Sequence, residues 1–265
     1  MKRIIATTSV LLLLGGCSWG QNSNIDTKKV SPHQDSNTSG ETKQSQVTSK
    51  PDLLLESKYF NHIKVVNGQN LIENRSNILA LVNKEYSLGA YEPKDLVRPN
   101  VNFSFGNQDI EKSYMRKEAA AALEKMFKKA EKDGIILYAS SGYRSYKRQK
   151  ALQDAEIAKV GKEKAVQAVA TPGQSEHQTG LAMDITGKSE NFLLTENFGK
   201  QKEGIWLREH AHEFGFILRY PKEKEKITGY EYEPWHFRYV GTKVASIIYK
   251  NNWTLEEYFQ EVKKM

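Results

Sequence analysis

Apolar residues are sparse at the start of the chain and periodic further on. After a short apolar run, Ile4 to Gly16, the stretch from Ser18 to about Lys50 consists of Ser, Thr, Asn, Gln, Lys and Asp, with few apolar residues beyond Trp19, Ile25, Val30 and Val47. Such a stretch buries too little surface to fold, and it predicts a flexible tether. Order is expected from Leu53, through a loop-rich lead-in that contains Leu79 to Val82 and Tyr91-Glu92-Pro93. An Ala-rich, charged pattern from Met115 to Lys132, stopped by Asp133-Gly134, predicts the first long helix. Ile135 to Ala139 reads as a buried strand.

A second helix is predicted from Ser145 and a third near Glu163 to Ala170, broken by Thr171-Pro172-Gly173. Leu181 to Ile185 reads as a strand with Leu181, Met183 and Ile185 toward the core and Ala182 and Asp184 on the other side. Ile205 to Phe214 is amphipathic, with Trp206, Leu207, His210, Ala211 and Phe214 on one stripe and Gly215 as its stop. Strands are expected at Phe216 to Tyr220 and Trp235 to Val240, and Thr254 with Glu257 makes a capping box for a closing helix. There is no repeat, no regular βαβ alternation and no phosphate-binding glycine loop, so the expected class is α+β in one domain.

The N-terminus changes where that domain is expected to work. Lys2 and Arg3 precede an apolar run too short to cross a bilayer, and Leu14-Gly15-Gly16-Cys17 resembles a bacterial lipobox. The organisation this predicts is a signal peptide over 1–16, a lipidated Cys17 with a tether to residue 52, and a globular domain over 53–265, anchored outside the cell membrane. Cys17 is the sole cysteine, which excludes an internal disulfide.

With 265 residues, 38% of them hydrophobic, the chain can build one sizeable core. Its net charge of +7 is diffuse rather than striped, which suits an anionic envelope polymer and speaks against nucleic acid.

Two segments carry metal-grade chemistry. Ser175-Glu176-His177-Gln178-Thr179-Gly180-Leu181-Ala182-Met183-Asp184 sets a histidine and a carboxylate around a glycine that lets His177 fold back toward Asp184. Glu233-Pro234-Trp235-His236 adds a second histidine and a second carboxylate. On a regular strand Glu233 and His236 would face opposite ways, so a bend at Pro234 is expected if both meet one site. Two His and one Asp match the three protein ligands of a catalytic zinc, leaving Glu233 free as a base. A lone histidine is more often structural. His210 and His212, two apart on a helix, diverge and are read as structural, His33 falls in the tether, and His62 has no partner pattern. A third segment, Ser141-Gly142-Tyr143-Arg144-Ser145, follows a strand and places an arginine, suited to carboxylates, beside a helix-capping serine.

SGYRS followed by Gln149, the SxHxxGxAxD pattern of Ser175 to Asp184, and the EPWH of Glu233 to His236 together resemble the VanY-type D-alanyl-D-alanine carboxypeptidases and their LdcB-type L,D-carboxypeptidase relatives. The resemblance spans roughly Leu79 to Gly241. It implies the α+β fold of the VanX and hedgehog-like zinc peptidases, with one zinc ion on His177, Asp184 and His236 and Glu233 as general base and acid. Arg144 matches the arginine that engages substrate, at its terminal carboxylate or at the oxyanion, and Gln149, Ser175, Tyr220 and Trp235 match pocket positions. The implied reaction removes a terminal D-alanine from peptidoglycan stem peptides, with trimming of tetrapeptide stems (L,D) as the alternative to D,D cleavage. The expected partners are those peptides and, through the lipid, the membrane, with the chain a monomer. A metal-stabilised module that binds wall peptides without cutting them is the reading from another class, and retention of Glu233 argues against it.

Overall fold

The computed structural model describes residues 53–265. The expected signal segment, Cys17 and the tether lie outside the described residues, and among those described no helix is long and apolar enough to cross a membrane.

The lead-in is built of short strands: β1 (Leu54–Leu55), β2 (Ile63–Val66), β3 (Gln69–Ile72), β4 (Tyr86–Ser87), β5 (Leu96–Val97) and β6 (Met115–Arg116). Met115 and Arg116, expected to open the first helix, instead pair with β5, and the Arg116 amide donates to the Gly180 carbonyl at 2.8 Å. Helix α1 (Lys117–Lys132) therefore starts two residues later. Its Ala119, Ala120, Leu123, Met126, Phe127 and Ala130 recur every three or four positions and are all buried.

After α1 the amide of Ile135 closes back onto Ala130 O at 2.8 Å, and Gly134 takes the left-handed conformation at φ +78°. That helix cap uses the residues expected to begin the next strand, so β7 forms later, at Tyr138–Ser141. Helix α2 (Tyr146–Val160) is capped by Ser145, whose hydroxyl accepts from the Arg148 amide at 3.2 Å. There follow α3 (Lys162–Ala168), β8 (Ala182–Thr186), α4 (Lys202–His210), β9 (Phe216–Leu218), α5 (Glu225–Thr228), β10 (His236–Tyr239), α6 (Thr242–Asn251), α7 (Leu255–Glu261) and β11 (Lys263–Lys264). The expected 205–214 helix starts earlier, at Lys202, and tightens to a 3₁₀ turn at Ala211–Phe214 before Gly215 stops it.

The main sheet is antiparallel in the order β7-β8-β10-β9. Register puts Phe237 opposite Met183 and His236 opposite Asp184. One face therefore carries Met183, Ile185, Phe237, Tyr239 and Phe216 onto α1 and α4 in the main core. The other face carries Asp184, His236 and Arg238. A slip of one residue would exchange the two sets. A second core joins α6 and α7 to Leu79, Ile217 and Val240.

Candidate functional site

His177 sits on a single 3₁₀ turn, Glu176–Thr179, reversed by Gly180 at φ +67°. Its Nδ1 lies 2.8 Å from the Gly142 carbonyl, so that nitrogen carries a proton and Nε2 is turned toward Asp184 Oδ2 at 3.4 Å. Gly142 reaches this place through a bulge in β7, where the register shifts between Ala139 and Ser141. A Cβ on Gly142 would run into the Tyr114 carbonyl and the end of Met183, so only glycine lets the carbonyl approach.

Asp184 and His236 face each other across the β8–β10 ladder, with His236 Nδ1 3.0 Å from Asp184 Oδ1. The two imidazoles stand at 89° with centroids 4.9 Å apart. One ligand atom from each of His177, Asp184 and His236 lies within 4.8 Å of the others, and all three residues are buried. Burial works against the charge on Asp184, but His177 and His236 overcome it and hold the carboxyl well below the usual carboxylate range. Two imidazoles and an ionised carboxylate converging in a buried spot form a donor set that fits zinc.

Glu233 and His236 are joined by a turn through Pro234, with the His236 amide donating to Glu233 O at 3.1 Å. The expected bend is there. It brings Glu233 Oε2 to 3.8 Å from His236 Nδ1 with the carboxylate side chain 28% exposed. Burial, opposed by His236 and reinforced by Asp184, pushes the Glu233 carboxyl up to about 7.

Arg144 follows the bulge. It donates to Gln149 Oε1 at 3.0 Å and to Ser141 Oγ at 3.3 Å, in the field of Asp184 and Glu233. Gln149 is itself pinned, donating to Ala170 O at 2.7 Å. Ser175 is buried just before the His177 turn. The Tyr220 ring lies against His236, with centroids 4.9 Å apart. Trp235 is placed differently from these: half-buried, it packs against the main core. His210 pairs with Glu213 at 2.9 Å and His212 stacks on Tyr249, so neither joins the site.

Sequence reasoning gave no role to Glu176, Arg219, Arg238 or Glu256, which form a buried charge cluster behind His236. Glu176 Oε2 lies 3.3 Å from His236 Nε2. The available signals were a carboxylate beside a ligand-type histidine and an arginine within each of two apolar strands, FILR and HFRYV.

Residues 112–242 match the VanY family pattern, described as D-alanyl-D-alanine carboxypeptidase. The protein YodJ of Bacillus subtilis (strain 168) is 52% identical over 99% of this chain and 97% of its own length. The chain belongs to the VanY family. It is also similar to the solved LdcB L,D-carboxypeptidase, a structure described as revealing the basis of peptidoglycan recognition, at 58% identity and TM-score 0.79 over 80% of this chain and 100% of the other. A VanY D,D-pentapeptidase variant from a VanB-type resistance cassette, solved with Zn(II), is similar at 34% identity and TM-score 0.57 over 68% of this chain and 98% of the other. The VanY segment contains every candidate residue of the site, and it leaves out Ile78, Ala80 and Glu256, which the buried charge cluster reaches.

Proposed function

We propose that this VanY-family carboxypeptidase is a zinc enzyme that removes the C-terminal D-alanine from peptidoglycan stem peptides, with one ion held by His177, Asp184 and His236. The observation that carries the reading is the convergence of those three side chains within 4.8 Å, with the raised carboxyl of Glu233 beside them. A zinc ion bound there supplies Lewis acidity, acidifying a water and taking up negative charge that develops on the scissile carbonyl oxygen.

Glu233 handles the protons. Its Oε2, 3.8 Å from His236 Nδ1 at the edge of the ligand set, is placed to accept a proton from the attacking water and return it to the departing amine. Arg144, fixed by Gln149 and Ser141, presents its guanidinium to the C-terminal carboxylate of the substrate, which orients the peptide and selects for a free chain end. Tyr220 covers His236 and keeps bulk water from that side.

Cleavage of tetrapeptide stems (L,D) is favoured over D,D cleavage by the greater likeness to LdcB than to the VanY D,D-pentapeptidase, at TM-scores of 0.79 and 0.57. The family description favours D,D cleavage. Incubating the zinc-loaded protein with tetrapeptide and pentapeptide muropeptides and weighing the products decides between them, the expected result being tripeptide from tetrapeptide. Glu233→Gln should keep its zinc and lose at least a hundredfold in turnover. Full turnover in that variant sinks the assignment of the base.

The sequence Leu14-Gly15-Gly16-Cys17 supports a lipid anchor on Cys17 that holds the enzyme on the outside of the cell membrane, within reach of the wall. Cys17→Ser should move it from the membrane fraction to the medium.

A further inference from the structure

The charges behind His236 form a closed set. Arg219 and Arg238 have no exposed surface, and Glu176 and Glu256 are buried with them. Glu176 Oε1 accepts from Arg219 Nε at 2.8 Å and from Arg238 Nη1 at 2.7 Å. Its other oxygen is left for His236 Nε2. Arg219 gives its remaining nitrogens to both oxygens of Glu256 in α7, at 2.8 and 2.6 Å. Arg238 gives Nη2 to the carbonyls of Ile78 and Ala80, at 2.9 and 3.0 Å.

Two positive and two negative charges cancel here, with only the edge of Glu256 in reach of water. Such a set is seldom the most stable filling for a core, because apolar side chains of similar volume often do as well or better. It does provide something an apolar cluster lacks: a carboxylate oxygen held at a fixed place against one nitrogen of a particular imidazole.

We propose that Glu176 is the positioning residue of His236, and that the two arginines, balanced by Glu256, exist to hold it there. The proposal rests on reading His177, Asp184 and His236 as metal ligands. A ligand histidine must keep its proton on one ring nitrogen and turn the other toward the metal. Glu176 on Nε2 keeps the proton there and leaves Nδ1 turned toward Asp184 and His177. His177 receives the same service from the Gly142 carbonyl. Two guanidinium donors on Oε1 stop the carboxylate from rotating away, so α7 and the Ile78–Ala80 segment become part of the support for a metal ligand.

The test compares two variants that damage the same charge set. Glu176→Gln keeps one carbonyl oxygen, which the two arginines claim, and so turns an NH2 donor toward His236 Nε2. Glu256→Gln unbalances the set without touching that contact. By competition with a chromophoric chelator, Glu176→Gln should bind zinc roughly ten- to a hundredfold more weakly than the wild type. Glu256→Gln should lose at least as much thermal stability and keep wild-type zinc affinity. Unchanged affinity in Glu176→Gln, or losses that simply follow stability in both variants, would overturn the proposal. Should Glu176→Gln fail to fold, imidazole ¹⁵N NMR of the zinc-loaded wild type decides: His236 is expected to carry its proton on Nε2 and the metal on Nδ1, and the reverse arrangement refutes the role. A wild type that binds no zinc would instead bring down the metal reading itself.

Discussion

Glu233→Gln is expected to make the chelator-treated protein more stable at alkaline pH, in the same variant that loses turnover. In the folded chain the Glu233 carboxyl is raised from 4.5 to about 7. The unfolded chain therefore releases this proton first as pH rises, and between those two values each step upward favours unfolding. The folded-state rise of about 2.5 pH units corresponds to an upper figure of about 3 kcal/mol at 1.36 kcal/mol per unit. The side chain is 28% exposed, so solvent screening reduces this to about 1–3 kcal/mol. Glutamine has the same shape and nothing to ionise. The stability gap between variant and wild type should be small at pH 4.5, open through pH 7 and level off by pH 8. Urea unfolding of both proteins across that range, in the presence of chelator, measures the gap from midpoint and slope. A gap that stays constant with pH, or a variant less stable than the wild type at pH 8, refutes the account of Glu233 as a carboxyl strained by burial.

Other perturbations follow from particular contacts. Gly142→Ala should cost about 1–3 kcal/mol by overpacking against the Tyr114 carbonyl and Met183, and should also weaken zinc binding because the carbonyl that orients His177 must move; thermal melts and chelator competition read the two effects. Arg219→Met leaves Glu176 and Glu256 without their shared partner and should cost about 3–5 kcal/mol in urea unfolding, a loss under about 1 kcal/mol being incompatible with the buried pairing. His177→Ala removes one of the three proposed ligands, and elemental analysis should find its zinc content close to zero; full occupancy would rule His177 out as a ligand.

The parts of the fold legible in the sequence were those with a local physical cause. Helix α1 shows its buried stripe in the spacing of its apolar residues, and Ser145 caps α2 as its position suggests. Thr254 and Glu257 exchange both capping hydrogen bonds, at 3.1 and 2.7 Å. The alternation of Leu181, Met183 and Ile185 correctly gave the core face of β8. The convergence of His177, Asp184, His236 and Glu233 was legible because each lies in a dense motif with its own glycine or proline.

The rest depended on long-range pairing. Strands of two residues, such as β1, β4, β5 and β6, are too short to show a period, and Met115-Arg116 reads as helix until β5 arrives to pair with it. Strand β7 slid because the cap of α1 used Gly134 and Ile135 and a bulge followed. Glu176, Arg219, Arg238 and Glu256 come from four separate segments, and a charged residue within a strand reads as solvent-facing until its partners are known.

His236 and Asp184 are cross-strand partners in the middle of the main sheet, so a cation shared between them can bind only while the β8–β10 ladder is closed. Metal content should then be visible as a pattern of amide hydrogen exchange. At a free concentration one hundred times its Kd, the ion adds about 2.7 kcal/mol to the closed state, slowing exchange there by roughly a hundredfold where local opening limits it. The amides of Ile185 and Tyr239, which bridge β8 and the β10 segment, should report that slowing. The β2–β3 hairpin holds no ligand and should exchange at its own rate. Without the proposed ion the chain should thus loosen first at the centre of its sheet, and limited proteolysis should cut there before the β2–β3 hairpin has moved.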